Sequence, residues 1–400
     1  MTDIRPGSEF DFTQLVDLFE EDDAIIGADT TNGDVKAYLS TGSLVVDWEL
    51  TEHRFRGGYP SGRMVEIFGA EAVGKSTIIT HALISAQRGD GVLIDWKPVM
   101  EGGREMFLPT LSARKMKPGL AILIDSEYKF PIDRAQRMGL NLDQLIRITG
   151  KNNILTFEQC VTEIENVLDK LVKLPYFQTA EVPICIALDS LAQAPIEAEL
   201  EGNGMQDGIA SKARKIRMAM RRMTSKISSM NVFMLFTNHI HDQIGSKGTT
   251  AGGGRGLKLA ASLRLSLKKA FPNGDLMASG EEQIGIVTEV RCAKSSYCIP
   301  PDPIRVPIRW LTGVNKDTEL LEFFKEGDPC LPVVYQAGPR VKLVMPDGTE
   351  KSCFPGQFSD LLDSIPGSRE YILSIFERTM AGEKPPAGSK KKAPKVEESQ

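Results

Sequence analysis

From about residue 36 to residue 315, short apolar runs alternate with stretches whose apolar positions recur at helical spacing. The runs read MVEIF, LAILID, LIRI, VPICIALD, VFMLFTN, LRLSL and IVTEVRCA. That alternation predicts an α/β fold, with a mainly parallel central sheet covered by helices. Ligands of such sheets bind at the carboxyl ends of the strands, so the residues that close these runs are the first candidates for chemistry.

The pattern changes at both ends and once in the middle. Residues 10–23, FDFTQLVDLFEEDD, put Phe12, Leu15, Leu18 and Phe19 on one helical face, and the polar GADTTNGD that follows reads as a linker. This helix either packs on its own core or docks on a neighbouring subunit. Residues 95–119 interrupt the rhythm as an inserted excursion. After residue 315, RVKLVMPDGTEKSCF carries an Asp-Gly turn between two β-like runs, and FSDLLDSIPGSREYILSIFERTM reads as helical. The last stretch has Pro, Gly and charge but few apolar residues, which predicts disorder, with its lysines solvated. The expected plan is an N-terminal helix and linker (1–35), a core (36–315), a small α+β unit (316–380) and a tail (381–400).

Composition narrows the setting. Four hundred residues, 41% hydrophobic and 25% charged, can bury a full core in two or three domains. No apolar run is long enough to span a membrane and no signal peptide is evident, which predicts a cytoplasmic protein. The net charge of −5 argues against a surface that coats nucleic acid everywhere, so any basic strip must be local. The six cysteines, Cys160, Cys185, Cys292, Cys298, Cys330 and Cys353, show no CxxC spacing and read as buried reduced thiols.

The chemistry starts at GAEAVGKST, residues 69–77, between the strand-like VEIF and the helical STIITHALISAQR. Two glycines five apart followed by Lys and hydroxyls form a P-loop for a polyphosphate. Gly69, Ala70, Glu71, Ala72, Val73 and Gly74 supply backbone, Lys75 reaches the terminal phosphates, Ser76 ligates magnesium, and Thr77 opens the helix. AILIDSE ends in Glu127, a carboxylate placed to polarise an attacking water, and ICIALDS ends in Asp189, placed to hold magnesium beside the P-loop hydroxyl. MLFTNH ends in Asn238 and His239 ahead of a glycine-rich stretch, an arrangement suited to sensing a γ-phosphate. Residues 211–226 form a helix with seven basic side chains beside Met218, Met220 and Met223, able to hold a phosphate backbone.

In this order the parts resemble the RecA family of homologous-recombination ATPases, including the UvsX-like phage recombinases. LSTGSLVVDWEL followed by GGYPSGRMVEIFGAEAVGKST is similar to the family's approach to its P-loop, LIDSE to its catalytic-glutamate strand and IALDS to its magnesium strand. EAELEGNGMQDG and IGSKGTTAGGGRGLK sit where the family has its two DNA-binding loops. The resemblance implies a RecA-type ATPase core that uses ATP and Mg2+. It implies DNA contacts from Ile209, Arg214 and Arg221 in the first region and from Thr250, Gly253, Gly254 and Arg255 in the second. It also implies a DNA-dependent ATPase that filaments on single-stranded DNA with ATP at subunit boundaries and exchanges strands with duplex DNA. A single-strand-binding protein and a loading mediator are the expected further partners, in a bacterial cell or from a phage. Departures from the family pattern are His239 at the usual glutamine switch, and Lys294 followed by Ser296 where two lysines normally reach across to ATP. Arg134 stands where an aromatic stacks on adenine. A ring-forming helicase or translocase on the same core, and a low-turnover ATP-binding mediator or scaffold, are the alternative readings.

Overall fold

The elements leading into the core are β1 (Ala37–Leu39), α1 (Leu44–Glu49), β2 (Tyr59–Pro60), β3 (Arg63–Gly69) and α2 (Lys75–Arg88). Next come β4 (Gly91–Glu101), β5 (Arg104–Leu111), β6 (Leu120–Asp125), α3 (Ile132–Arg137), β7 (Leu145–Ile148), α4 (Phe157–Leu171), β8 (Ile184–Asp189) and α5 (Gly208–Ser228). The core continues through β9 (Val232–Asp242), β10 (Thr249–Ala251), α6 (Gly254–Ala260), β11 (Leu263–Lys269), β12 (Asp275–Met277), β13 (Gln283–Ser295), β14 (Ile304–Arg309) and β15 (Gly313–Val314). This computed structural model describes residues 35–150, 155–191, 194–197, 208–228, 230–242, 249–251, 254–270, 275–277, 283–325, 333–335 and 340–383. The expected N-terminal helix, the C-terminal tail from residue 384, Cys330 and Gly253 lie outside the described residues.

Six strands run parallel in the order β11-β3-β9-β8-β6-β7, and β13, β14 and β15 continue the sheet antiparallel beyond β11. Both faces are covered, which explains why the strands read as continuous apolar runs. Along β8, Cys185 and Ala187 face the cluster around α2, whereas Ile184, Ile186 and Leu188 face the cluster around α4 and α5. The same division separates Phe233 and Leu235 from Met234 and Phe236 on β9. Helix α4 starts with a capping box, in which Thr156 accepts from the Gln159 amide and the Gln159 side chain accepts from the Thr156 amide.

The excursion at 95–119 is a long β-hairpin. β4 pairs with β5 from Ile94 opposite Leu111 to Glu101 opposite Arg104, around a Gly102-Gly103 turn. Through β4 and β1 it joins a second antiparallel sheet, ordered β2-β1-β4-β5. The hairpin leaves Met100 and Phe107 exposed.

The smaller unit contains α7 (Lys316–Lys325), β16 (Val333–Tyr335), β17 (Val341–Val344), β18 (Glu350–Cys353), α8 (Phe358–Asp363) and α9 (Ser368–Met380). The Asp347-Gly348 turn links β17 to β18. The helical stretch after it is two helices, because the chain breaks at Pro366 and restarts from Gly367, which caps α9 at φ 76°. Leu320, Phe324, Leu343, Phe358 and Phe376 form the core of this unit, with Leu44 and Trp48 of α1 packed into it. Glu319 seals the joint by accepting from the Ser43 hydroxyl and from the Leu44 amide at 2.9 Å.

Candidate active site and nucleic-acid interface

The parallel register brings the candidate residues to one edge. Gly69 at the end of β3 lies opposite His239 on β9, and Asp125 at the end of β6 lies opposite Asp189 on β8. The loop from Gly69 to Gly74 is shaped by its backbone. A Cβ at Gly69 would lie 2.2 Å from the Leu267 carbonyl oxygen, and one at Gly74, where φ is 95°, would lie 2.6 Å from Ile308 Cδ1. Ala72 also takes a left-handed conformation, φ 55°. Gly74 caps α2 without a side chain, so no side-chain cap takes up the first-turn N–H groups.

Lys75 is buried at the mouth of this loop and donates to the carbonyls of Gly69 (3.0 Å) and Ala70 (2.6 Å). Burial lowers its pKa against the fields of Asp189, Glu71 and Glu127. Ser76 donates to Asp189 Oδ2 at 2.8 Å, and Thr237 donates to Asp189 Oδ1 at 2.5 Å. Burial raises the Asp189 pKa, which the two hydroxyl donors oppose. Glu127 is held by a 2.7 Å hydrogen bond from Ser190 and a 3.1 Å contact with Lys129. Its neighbour Asp125 instead braces the turn, accepting from the Lys129 and Phe130 amides at 3.2 Å each and from Arg147 at 2.7 Å. Arg134 donates to Thr77 Oγ1 at 2.6 Å, while its buried Nε has no hydrogen-bond partner. Desolvation lowers its pKa. The uncapped helix start, the glycine cradle and this guanidinium fit a nucleoside triphosphate, and the Ser76–Asp189 pair fits its divalent cation.

The strand-end pair Asn238–His239 divides. Asn238 is fully buried and donates to Glu66 Oε1 at 2.7 Å, and Glu66 also binds Arg264. Adjacent strand residues point to opposite faces, so Asn238 supports the sheet while only His239 faces the P-loop side. Desolvation, then the field of Lys75, lowers the His239 pKa, which keeps the imidazole neutral above neutral pH. Lys294 lies away from this cluster, on β13, and binds carbonyls at the C-terminal end of α6.

The basic helix α5 has two faces. Lys215, Arg222 and Lys226 pair with Glu158 (2.5 Å), Glu165 (3.0 Å) and Asp169 (2.6 Å) on α4. Each pair is 57 residues apart in sequence, so α4 and α5 lie side by side in parallel. Arg214, Arg217 and Arg221 are exposed and make no ion pair among the described residues. Arg217 and Arg221 line a cavity of about 390 Å³ with Leu259 and Ala260 of α6. Sequence reasoning passed over Arg217; its spacing of three and four residues from Arg214 and Arg221 was the available signal. Ile209 lies in the first turn of α5, Thr250 in β10, and Gly254 and Arg255 open α6.

A family model described as the RecA N-terminal domain matches residues 14–102 and 96–315. The chain belongs to the RecA family. The two matched pieces overlap at residues 96–102, inside the β4–β5 hairpin. The chain is 29% identical over 291 residues to Protein RecA of Acholeplasma laidlawii, covering 72% of this chain and 73% of that protein. It is 29% identical over 306 residues to Protein RecA of Porphyromonas gingivalis, covering 76% and 75%. Against Protein RecA of Desulforapulum autotrophicum it is 30% identical over 287 residues, covering 71% and 68%. Membership makes the chain a RecA-family recombinase and brings ATP binding, DNA binding and a place in recombination and repair. No helix among the described residues is long and apolar enough to cross a membrane.

Proposed function

We propose that this recombinase is a DNA-dependent ATPase that assembles on single-stranded DNA with ATP at subunit boundaries, pairs it with homologous duplex and exchanges strands. The observation that carries the reading is the convergence of Lys75, Ser76, Asp189, Glu127 and His239 at one sheet edge, with a row of exposed arginines on α5. Lys75 and the first-turn amides of α2 would hold the phosphates, Ser76 and Asp189 the magnesium ion, and Arg134 the nucleotide beside Thr77. Bound magnesium supplies neutralisation of developing phosphate charge. Glu127, oriented by Ser190, takes the proton of the attacking water. His239 links the P-loop to the glycine-rich stretch that begins beyond β9. Arg214, Arg217 and Arg221 meet the phosphate backbone, and Watson–Crick pairing between strands supplies sequence recognition. A single-strand-binding protein and a loading mediator are the further partners of this reading, which places the chain in a bacterial cytoplasm. The test is a joint-molecule assay with circular single strands and homologous linear duplex. The expected result is ATP-dependent joint molecules that Lys75→Ala abolishes. Unwinding of duplex without homology would instead establish the helicase reading.

A further inference from the structure

The short turn that carries Glu127 presents one more side chain to the site. Asp125, only 2% exposed, accepts from the Lys129 and Phe130 amides at 3.2 Å each and from Arg147 at 2.7 Å. Phe130 packs into the core cluster around α2. Tyr128 takes a left-handed conformation at φ 55°, costly for a residue with a side chain, and its ring lies 4.9 Å from the Arg147 guanidinium. Lys129 sits between these two anchors. Its backbone is fixed on both sides, yet its side chain is 78% exposed.

The Lys129 ammonium lies at the reacting end of the site. Ser190 donates to Glu127 Oε1 at 2.7 Å, and Lys129 donates to Glu127 Oε2 at 3.1 Å. A water polarised by Oε2 is therefore within reach of the same ammonium. On the inner side, the fields of Asp189, Glu71 and Glu127 all act on the buried ammonium of Lys75. A magnesium triphosphate brings further negative charge, so a second cation acts most strongly where charge develops on the γ-phosphoryl oxygens. An exposed ion pair contributes little to stability. The strained, doubly anchored turn serves the placement of the lysine instead.

We propose that Lys129 is a second phosphate-binding lysine, supplied by the same subunit as Glu127. When ATP is bound it leaves Glu127 Oε2 for the γ-phosphoryl group and neutralises the charge that develops there. This deepens the ATPase reading above and rests on it. In the step itself the water oxygen bonds to the γ-phosphorus as the bond to the β,γ-bridging oxygen breaks, giving ADP and phosphate. Glu127 takes one proton of the water, and Lys129 keeps its own protons throughout. The flexible four-carbon stem allows the exchange of partners without moving the turn.

The experiment uses the full chain with single-stranded DNA present. Calorimetry measures the binding of ADP alone and of ADP with beryllium fluoride, a mimic of the γ-phosphoryl group, and single-turnover hydrolysis of ATP is measured beside it. Lys129→Ala should bind ADP as wild type does and lose about tenfold of the affinity gained from beryllium fluoride. It should also hydrolyse ATP at least about tenfold more slowly. Lys129→Arg should restore most of the fluoride-dependent gain, because it restores the charge. Lys117→Ala removes another exposed, paired lysine, the partner of Glu181 just before the start of β6, and should match wild type throughout. An undiminished gain in Lys129→Ala would overturn the contact, even with slower hydrolysis, since the lysine would then act only through Glu127. An equal loss of ADP and ADP–beryllium fluoride binding would also overturn it. Failure of the wild type to hydrolyse ATP would instead count against the function proposed above, with the fluoride-dependent gain still deciding the lysine.

Discussion

Glu127 lies two residues beyond the end of β6, held by polar contacts with Ser190 and Lys129, and Gln keeps its size, so replacing its charge tests chemistry rather than folding. Glu127→Gln is expected to bind ATP normally and hydrolyse it at least about 100-fold more slowly, the usual scale for losing a general base. Single-turnover hydrolysis measures this, and a wild-type rate would remove Glu127 from the mechanism. Lys75→Ala should abolish nucleotide binding itself, measured by calorimetry. His239 tests the link between sites. His239→Ala should keep Lys75-dependent ATP binding but lose both the ATP stimulation of DNA binding and the DNA stimulation of ATPase, because coupling is reciprocal and typically about 1–3 kcal/mol. Since burial and Lys75 lower the imidazole pKa, the coupling should stay flat as pH rises above neutral. If titration of single strands with and without a non-hydrolysable analogue shows an undiminished gain in the mutant, His239 is a packing residue. Asn238 does not stand in for it, since its side chain donates to Glu66.

Helix α5 shows what a charge pattern can and cannot reveal. Its seven basic residues were plain in the sequence, but the division of six of them into a paired and an open face depends on α4, whose pairing residues lie 57 positions earlier in the chain. The open face predicts that Arg217→Ala and Arg221→Ala each reduce the salt slope of single-strand binding by about 0.7, the effect of losing one phosphate contact. Arg222→Ala, which loses its pair with Glu165, should leave the slope unchanged and cost at most about 1 kcal/mol of stability. Equal slopes for all three variants would return the helix to a solvated face. The strands were legible because burial on both faces leaves long apolar runs, and the P-loop because its chemistry is local. The excursion was legible only as a break in rhythm. Its pairing depends on β1, and its Gly102-Gly103 turn was the one local sign of a hairpin. The break between α8 and α9 had a local sign too, in Pro366 and Gly367.

At the scale of the whole molecule, the smaller unit is joined to the core through a buried carboxylate. Burial raises Glu319 to about 7, opposed by its bonds from Ser43 and Leu44 and by Lys316, and reinforced by nearby Asp47, itself raised by burial. A raised folded-state pKa contributes stability that is complete below the unfolded value and is lost as pH rises through the folded one. The joint should therefore weaken between about pH 5 and pH 8 by on the order of 3 kcal/mol. Thermal unfolding should show this loss in wild type and a flatter profile in Glu319→Gln; identical profiles would mean that the carboxylate stays charged at the joint. The central claim is that this RecA-family chain works as a polymer on single strands with ATP between subunits. Electron microscopy of the purified protein with single-stranded DNA, magnesium and a slowly hydrolysed ATP analogue tests it most directly. The account predicts continuous helical filaments that fail to form with Lys75→Ala; closed rings, or DNA left bare by a protein that binds the nucleotide, would contradict it.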